Sequence, residues 1–190
     1  MIPLVWSEGQ ITVRAVKAEE TPALHAMFLE CADTIPFDPT FAEVDEGEVG
    51  ALVENSVAQE SQERGFRMRS LHVGPAHDLA GYFHLTEDFP RPGEVWISIL
   101  AIRPGFRRSG VGRAGIGSLM RILARCNFRC ALGRVYLANV PALRFWTAMG
   151  FTEIVRHREA YVHYEMELPC VVLRAWCNQS NEALEQSNTR

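Results

Sequence analysis

The chain has 190 residues, of which 47% are hydrophobic and 22% are charged, a composition that favours one globular domain and excludes a disordered chain. No stretch reaches the roughly 18 apolar residues that a membrane-spanning helix needs, and residues 1–6 lack the basic start of a secretion signal. The sequence therefore predicts a cytoplasmic protein without a membrane partner.

Hydrophobic periodicity divides the chain into alternating strands and helices. In chain order, alternating or β-branched apolar runs predict strands over residues 10–16, 66–73, 78–85, 96–102, 134–138, 151–157 and 161–168. Apolar side chains at helical spacing predict helices over residues 21–32, 45–64, 114–127 and 139–149. This order predicts an α/β (α+β) fold with a mixed, mostly antiparallel central sheet of about seven strands flanked by helices.

The end of the chain does not continue this pattern, so we expect one domain over residues 1–168 and a C-terminal extension over residues 169–190. The extension starts with an apolar run that contains Trp176 and ends in a polar stretch. It is either a frayed tail or a segment whose apolar residues dock on the body or on a second subunit. The sequence leaves open whether the chain forms a homodimer.

Charge is distributed unevenly along the chain. Residues 95–152 contain nine arginines and no Asp or Glu, whereas the whole chain carries a formal net charge of −4. An acid-free middle segment favours a small polyanionic ligand. The overall acidity, without a basic helix or an RNA-recognition motif, argues against nucleic acid as a partner.

The cysteines indicate neither disulfides nor a metal site. Five are present, an odd number, and they lack the paired spacing of zinc ligands. We therefore expect reduced thiols that pack in the interior and no bound metal.

A glycine-rich turn carries the main functional signal. A β-branched run ends at Ile102, residues 103–105 stop the strand, and small residues and arginines lead to a helix that follows Arg113. A strand, a glycine-rich turn and a helix collect backbone amides at a helix N-terminus, where they bind phosphate groups. A P-loop is excluded because no Lys follows Lys17.

Residues 110–115 also match the G-x-G-x-x-G pattern of dinucleotide-binding folds. That pattern belongs in a first strand–helix–strand unit with an acidic residue about 20 positions later. Here the next acidic residue is Glu153, and several predicted strands precede the turn. We therefore interpret the match as incidental.

Two motifs resemble those of the GNAT superfamily of N-acetyltransferases. R-x-x-G-x-G at residues 107–112 is similar to the [QR]-x-x-G-x-[GA] motif that this superfamily has between its central strand and central helix. N-x-x-A-x-x-F-W followed by G-F, at residues 139–151, is similar to its N-x-x-A-x-x-[LF]-Y…G-F segment. The resemblance covers residues 10–168, and two motifs in the expected order are more specific than one.

The resemblance implies acetyl-CoA as a co-substrate. Backbone amides of residues 108–113 would bind the pyrophosphate of coenzyme A at the positive end of the helix dipole. Backbone groups of the central strand would pair with the pantetheine arm, and Asn139 would flank that arm near the thioester. The implied coenzyme-binding residues are Leu100, Ala101, Ile102, Arg107, Arg108, Ser109, Gly110, Val111, Gly112, Arg113, Asn139 and Trp146.

The catalytic acid and base do not follow from the resemblance. Many members of the superfamily have a Tyr acid where this chain has Trp146, and a Glu base where it has Trp96. Period-two geometry puts residues 94, 96, 98, 100 and 102 on one face of the strand, which makes Glu94 and Ser98 candidate catalytic residues. Further candidate bases on or near neighbouring strands are His84, Tyr161 and His163.

The two tryptophans allow two interpretations. Trp96 and Trp146 either form an aromatic wall beside the thioester, suited to an apolar or cationic acceptor, or fill the core.

Two functions remain. The first is an acetyl-CoA-dependent N-acyltransferase that moves an acetyl group to a primary amine of a small molecule or a peptide N-terminus, by direct attack in a ternary complex. The second is a CoA-binding module that acts as a sensor or interaction protein without efficient catalysis. Thiol release from acetyl-CoA with a panel of amines separates the two.

Overall fold

The computed structural model describes residues 1–42, 44–163 and 166–177, and it describes side chains outside residues 157–167. Within these ranges the chain forms eight strands: β1 (Val5–Glu8), β2 (Ile11–Ala15), β3 (Phe66–Val73), β4 (Asp78–Glu87), β5 (Glu94–Ile102), β6 (Cys130–Tyr136), β7 (Glu153–His163) and β8 (Met166–Trp176). Four α-helices flank the sheet: α1 (Thr21–Glu30), α2 (Glu46–Gln59), α3 (Val111–Arg125) and α4 (Val140–Ala148). None of these four helices combines the length and apolar character that a bilayer crossing requires.

The sheet has the order β1-β2-β3-β4-β5-β6-β8-β7. Neighbouring strands run antiparallel except β5 and β6, which are parallel. A parallel pair needs a long crossover connection, and α3 lies in the connection between β5 and β6. The predicted α/β class with a mostly antiparallel sheet is confirmed. The connection also places the N-terminus of α3 directly after the end of β5.

The sheet has one strand more than the sequence predicts. β1 pairs with β2 at the edge of the sheet, and three of its four residues are exposed. Because these side chains do not alternate into the core, no periodic signal reveals the strand.

β8 corrects the predicted C-terminal boundary. The sequence places the last strand at residues 161–168 and an extension from residue 169, whereas β8 runs through Trp176 between β6 and β7. Leu173 belongs to the core that includes α3, while its neighbour Val172 packs with Leu132 on the other face. Burial on both faces removes the polar alternation that reveals a strand. Residues 178–190 of the predicted extension lie outside the described residues.

Local capping explains where two of the helices begin. Asp45 precedes α2 and accepts a hydrogen bond from the backbone N–H of Glu48 (2.8 Å), while the Glu48 side chain accepts from the backbone N–H of Asp45 (3.3 Å). This reciprocal capping box satisfies two otherwise unpaired amides. Asn139 caps α4 through a hydrogen bond from the backbone N–H of Ala142 (3.1 Å).

Each face of the sheet has its own hydrophobic core. On one face, Ile116 and Leu119 of α3 belong to the same core as Phe83 of β4. On the opposite face, α1 and α2 contribute Leu24 and Val53 to a core that contains Tyr82 of β4 and Met68 of β3. Both cores meet at β4 and β5, so the middle of the sheet is covered from both sides.

A β-bulge at Ser98 reverses the faces of β5. His84 of β4 pairs with Ile99 and Leu85 pairs with Ile97, so Ser98 has no partner on β4. Before the bulge, Ile97 packs in the core that includes α3, and after it Leu100 packs there. The prediction that residues 94 to 102 keep one period-two face is therefore wrong. Trp96 lies on the opposite face from Leu100.

Candidate functional site

A gap opens in the sheet between β5 and β6. Their pairing ends at Ile97 and Gly133, whereas β5 stays paired with β4 as far as Ile102. The backbone N–H of Arg103 bonds to β4, and because bonding directions alternate along an antiparallel strand, the polar groups of Leu100 and Ile102 point to the other side. The second half of β5 therefore offers backbone groups towards the gap.

A cavity of about 640 Å³ occupies this gap, and we call it the gap cavity. Its volume lies within the range of small-molecule binding sites. Ten of the twelve coenzyme-binding residues that the sequence predicts line it: Leu100, Ala101, Ile102, Arg107, Arg108, Gly110, Gly112, Arg113, Asn139 and Trp146. Two predicted residues in the same turn, Ser109 and Val111, are not among its lining residues.

The first turn of α3 points unpaired amides at the gap cavity. Gly110 precedes the helix with a φ of +91°, in the left-handed region, and α3 has no side-chain cap. Ser109 is no substitute cap, because its hydroxyl donates to the carbonyl of Phe106 (2.6 Å). Uncapped amides at the positive end of a helix dipole form an anion-binding site. This geometry suits the pyrophosphate that the sequence analysis expects here.

Two of the nearby arginines are already paired with acids. Arg107 donates to both carboxylate oxygens of Asp33 (2.5 and 3.0 Å) and to the carbonyl of Ile102 (2.9 Å). Arg103 forms a two-fold ion pair with Glu30 at the end of α1. These guanidinium groups hold the pKa values of Asp33 and Glu30 below their usual range.

Arg108 and Arg113 remain as charges for a ligand. Both are exposed and line the gap cavity, and neither has an acidic partner among the described side chains. The positive charges at this turn that no described acid compensates therefore belong to these two residues, whereas Arg107 connects the turn to the segment after α1.

Asp38 is a site residue that the sequence analysis missed. Its carboxylate accepts hydrogen bonds from the Asn139 side-chain amide (3.1 Å) and from the backbone N–H of Thr40 (3.2 Å), and it lines the gap cavity. No described cationic side chain pairs with it. The proline-broken segment between α1 and α2 signals only a loop, and loops often carry functional residues.

The structure separates the two predicted catalytic residues. Ser98 is exposed at the bulge and lines the gap cavity. Glu94 lies outside that cavity, is 6% exposed, and approaches Arg129 to 3.7 Å between Oε1 and Nη2. The bulge between them explains why the period-two prediction placed them together.

Glu94 instead lines a second cavity of about 500 Å³ on the face opposite α3. We call it the arginine groove, because Arg91, Arg134, Arg156 and Arg174 line it. Trp96 also lines this groove, whereas Trp146 lines the gap cavity and packs edge-to-face on Phe145 and Phe151. The two indoles therefore do not form one aromatic wall.

His84 does not lie in either cavity. It is 7% exposed, stacks on Tyr82, and neither of its ring nitrogens has a hydrogen-bond partner. Burial lowers its pKa to about 4, so the ring is neutral at ordinary pH. The side chains of Tyr161 and His163 lie outside the described residues.

A comparison with models of protein families identifies the family of this chain. The model of the acetyltransferase (GNAT) family matches residues 53–151. The chain therefore belongs to the GNAT family of acetyltransferases, and the resemblance seen in the sequence is confirmed. A comparison with curated protein sequences finds no match.

Solved structures of several acetyltransferases share the fold. A probable GNAT acetyltransferase from Chromobacterium violaceum is 14% identical, with a TM-score of 0.78 over 94% of this chain and 88% of that one. Spermidine N-acetyltransferase from Vibrio cholerae, solved with CoA and spermine, is 15% identical, with a TM-score of 0.73 over 91% and 99%. RimL, a ribosomal L7/L12 α-N-protein acetyltransferase solved with coenzyme A, is 14% identical, with a TM-score of 0.76 over 92% and 97%.

Proposed function

We propose that the protein is an acetyl-CoA-dependent N-acetyltransferase that acetylates a primary amine of a small molecule or a peptide N-terminus. One observation carries the proposal: the β5–β6 gap and the uncapped first turn of α3 open into one cavity. An anion-binding turn beside strand backbone that has no β6 partner suits a ligand with a pyrophosphate at one end and a hydrogen-bonding arm at the other. The CoA-bound acetyltransferases with this fold support the assignment.

Acetyl-CoA is the substrate that supplies the activated acetyl group. The amides at the start of α3, with Arg108 and Arg113, would bind its phosphates. The backbone of Leu100 and Ile102 would pair with its pantetheine arm in place of the missing β6 partner. In this arrangement the thioester reaches the region between Ser98 and Asn139, which both line the cavity.

The acceptor would react by direct attack in a ternary complex. The acceptor binds as an ammonium and first gives up one proton. The neutral nitrogen then forms a bond to the acetyl carbon and loses a second proton, while the carbon–sulfur bond breaks and CoA leaves as a thiolate that takes up a proton. Asp38 is the acidic side chain best placed to attract the ammonium form and take up its first proton, because it faces the cavity and lacks a described cationic partner. Ser98 offers a hydroxyl for the proton's path. Glu94 cannot act directly from the arginine groove.

The test of the enzyme assignment is thiol release from acetyl-CoA with a panel of primary amines, together with thermal melting with and without CoA. At one hundred times its Kd, CoA should stabilise the fold by about 2.7 kcal/mol. Thiol release that depends on an amine supports the proposal. A melting shift without thiol release for any amine would favour the second function, a CoA-binding module. That function is consistent with Trp96 at the usual base position and Trp146 at the usual acid position.

Asp38→Asn tests the assigned proton acceptor. The amide keeps the shape of the side chain but cannot take up a proton, so kcat/KM should fall by about a hundredfold. The Kd for CoA should stay unchanged, as measured by calorimetry. An equal rate for the variant and the wild type would remove Asp38 from the mechanism, while the acetyltransferase assignment would stand on the thiol-release data.

A further inference from the structure

The arginine groove contains none of the residues assigned to coenzyme binding, yet its lining combines an apolar floor with arginines. Its floor is apolar, with Trp96, Leu132 and Val172 packed together on the face of the sheet opposite α3. Four arginines line it, whereas Glu94 is the one acidic residue among its described lining side chains. A ligand that fits this groove has an apolar part and a negative charge.

Two of the four arginines have no described acidic partner. Arg91 and Arg156 are exposed, and neither forms an ion pair with a described side chain. Arg174 pairs with Glu153 at 3.2 Å, and the Glu94 carboxylate lies 3.7 Å from Arg129. Since Glu94 and Glu153 already face arginines, Arg91 and Arg156 contribute positive charge to the groove that no described side chain compensates.

The groove meets the gap cavity at β6. Arg134 lines both cavities, with its guanidinium carbon 5.4 Å from the ring centre of Tyr136, and Tyr136 also lines the gap cavity. On β5, Ile97 lines the gap cavity and its neighbour Trp96 lines the groove. A molecule placed with its amine in the gap can therefore extend past Arg134 into the groove.

The two cavities carry opposite charges where such a molecule would lie. Asp38 faces the gap cavity and suits an ammonium group. Arg134 and Arg156 face the groove, and guanidinium groups bind carboxylates with paired, geometrically matched hydrogen bonds. A polyamine would put a second positive charge against these arginines, and that juxtaposition disfavours binding.

We propose that the acyl acceptor is an amine that also carries a carboxylate and an apolar side chain, that is, an amino acid or a short peptide. Its amine lies in the gap near Asp38, its carboxylate binds Arg156 in the groove beyond Arg134, and its apolar part packs on Trp96, Leu132 and Val172. This inference rests on the proposed acetyl transfer and names the substrate class of that same site.

The first arm of the test compares acceptors that differ only in charge. Leucine is paired with leucinamide, and leucyl-leucine with its C-terminal amide, while spermidine serves as the cationic probe. Thiol release gives kcat and KM, and KM is expressed per neutral amine because amidation lowers the amine pKa. Loss of one charged hydrogen-bonding pair corresponds to tenfold or more in affinity, so each acid should have a KM at least about tenfold below that of its amide. A lower KM for leucine than for leucyl-leucine identifies a free amino acid as the preferred acceptor, and the reverse order identifies a peptide.

The second arm removes one groove arginine. Arg156→Ala changes an exposed side chain without a described ion pair, so the fold should be unaffected. It should raise KM for the carboxylate acceptors by about tenfold and leave KM for the amides unchanged. Arg125→Ala is the matched control, because Arg125 is exposed on α3 and lines neither cavity. Melting temperature and CoA affinity are measured for both variants.

The outcomes separate this inference from the function on which it rests. The acceptor class would be overturned if spermidine or the amides have a lower KM than the acids and Arg156→Ala leaves every KM unchanged. Acetyl transfer itself would then stand. Absence of thiol release with every amine would overturn acetyl transfer itself, and the acceptor class with it. Lower KM for the acids, lost specifically in Arg156→Ala, would establish the groove as the carboxylate site.

Discussion

Gly112 lies close to two other residues of the gap cavity wall. An ideal Cβ at this position would lie 3.3 Å from Cε2 of Phe145 and 3.6 Å from Cγ1 of Ile102, and both of these residues line the cavity. A Cβ at Gly112 would therefore press on the Phe145 ring, whereas Gly110 is favoured by its φ of +91°, with no atom within 4 Å. Two neighbouring glycines therefore serve the same turn for different physical reasons.

Gly112→Ala is expected to weaken coenzyme binding more than folding. The added methyl group displaces Phe145 or enters the ligand's path, and a loss of about 1.4 kcal/mol in binding free energy, at the low end of overpacking costs, corresponds to a tenfold higher Kd. Alanine is also the better helix former, which offsets part of the cost to stability. Calorimetric titration with CoA measures the effect. The control is Gly105→Ala, where a Cβ meets nothing within 4 Å; equal Kd values for the two variants would contradict the argument.

His84 makes the fold sensitive to acid. Its ring is 7% exposed without hydrogen-bond partners, and burial lowers its pKa from 6.5 to about 4. The unfolded chain therefore takes up a proton as the pH falls through about 6.5, whereas the folded chain does so only near 4. Stability is lost as the pH decreases across this window, by about 2 kcal/mol between pH 7 and pH 5.

His84→Leu should remove that part of the pH dependence. Urea unfolding of the wild type and the variant at pH 7 and pH 5 gives the two losses of stability, and the difference between them isolates the histidine from the carboxylates. The variant should lose about 2 kcal/mol less than the wild type. Equal losses would mean that the ring does not stay neutral in the folded chain.

At the scale of elements, a buried arginine joins α2 to the sheet. Arg67 on β3 is fully buried and donates to the carbonyls of Gln59 (2.6 Å) and Gln62 (2.8 Å), where α2 ends. It also pairs with Glu87 of β4 at 3.0 Å, and burial raises the pKa of that carboxyl. The guanidinium thus supplies a donor to the Gln62 carbonyl and a second donor to the Gln59 carbonyl, which also accepts from the backbone N–H of Gln62 (3.0 Å).

Arg67→Met should cost about 3 kcal/mol, because it removes the cation nearest the buried Glu87, which keeps Arg64 only at 3.9 Å, and the donor to the Gln62 carbonyl. The double variant Arg67→Met/Glu87→Gln should regain part of that loss, since a neutral amide is less costly to bury than a carboxylate. Urea unfolding measures both variants and Glu87→Gln alone. Strictly additive losses would show that the two side chains do not interact.

Sequence patterns predict an element well where one of its faces is buried and the other is exposed along its whole length. The four helices follow from helical spacing, and the glycine-rich turn lies where its motif predicts. The Ser98 bulge is invisible in the sequence because it is a mismatch with β4 rather than a property of β5. Likewise, the contact between Asp38 and Asn139 joins residues 101 positions apart, and no local pattern encodes it.

At the scale of the whole molecule, β8 supports the β6 side of the gap. Beyond Gly133, β6 has lost its partner on β5, and β8 alone pairs with it along residues 134–136. Leu173 of β8 lies opposite Gly133, is 5% exposed, and packs in the core that includes α3. On the β6 side, the wall of the gap is therefore paired with β8, most of which the sequence pattern assigned to a C-terminal extension.

Leu173→Ala should accordingly destabilise the whole fold, by about 2–5 kcal/mol for a buried leucine. Ile154 on β7 is the matched control: it pairs with the same Leu173 but is 64% exposed, so Ile154→Ala should stay within about 0.5 kcal/mol. Urea unfolding of both variants measures the difference in the free energy of unfolding. If β8 were a loose extension, the two substitutions would have equally small effects. A large loss for Leu173→Ala alone means that β8 is a packed strand of the sheet behind the β6 wall of the gap cavity.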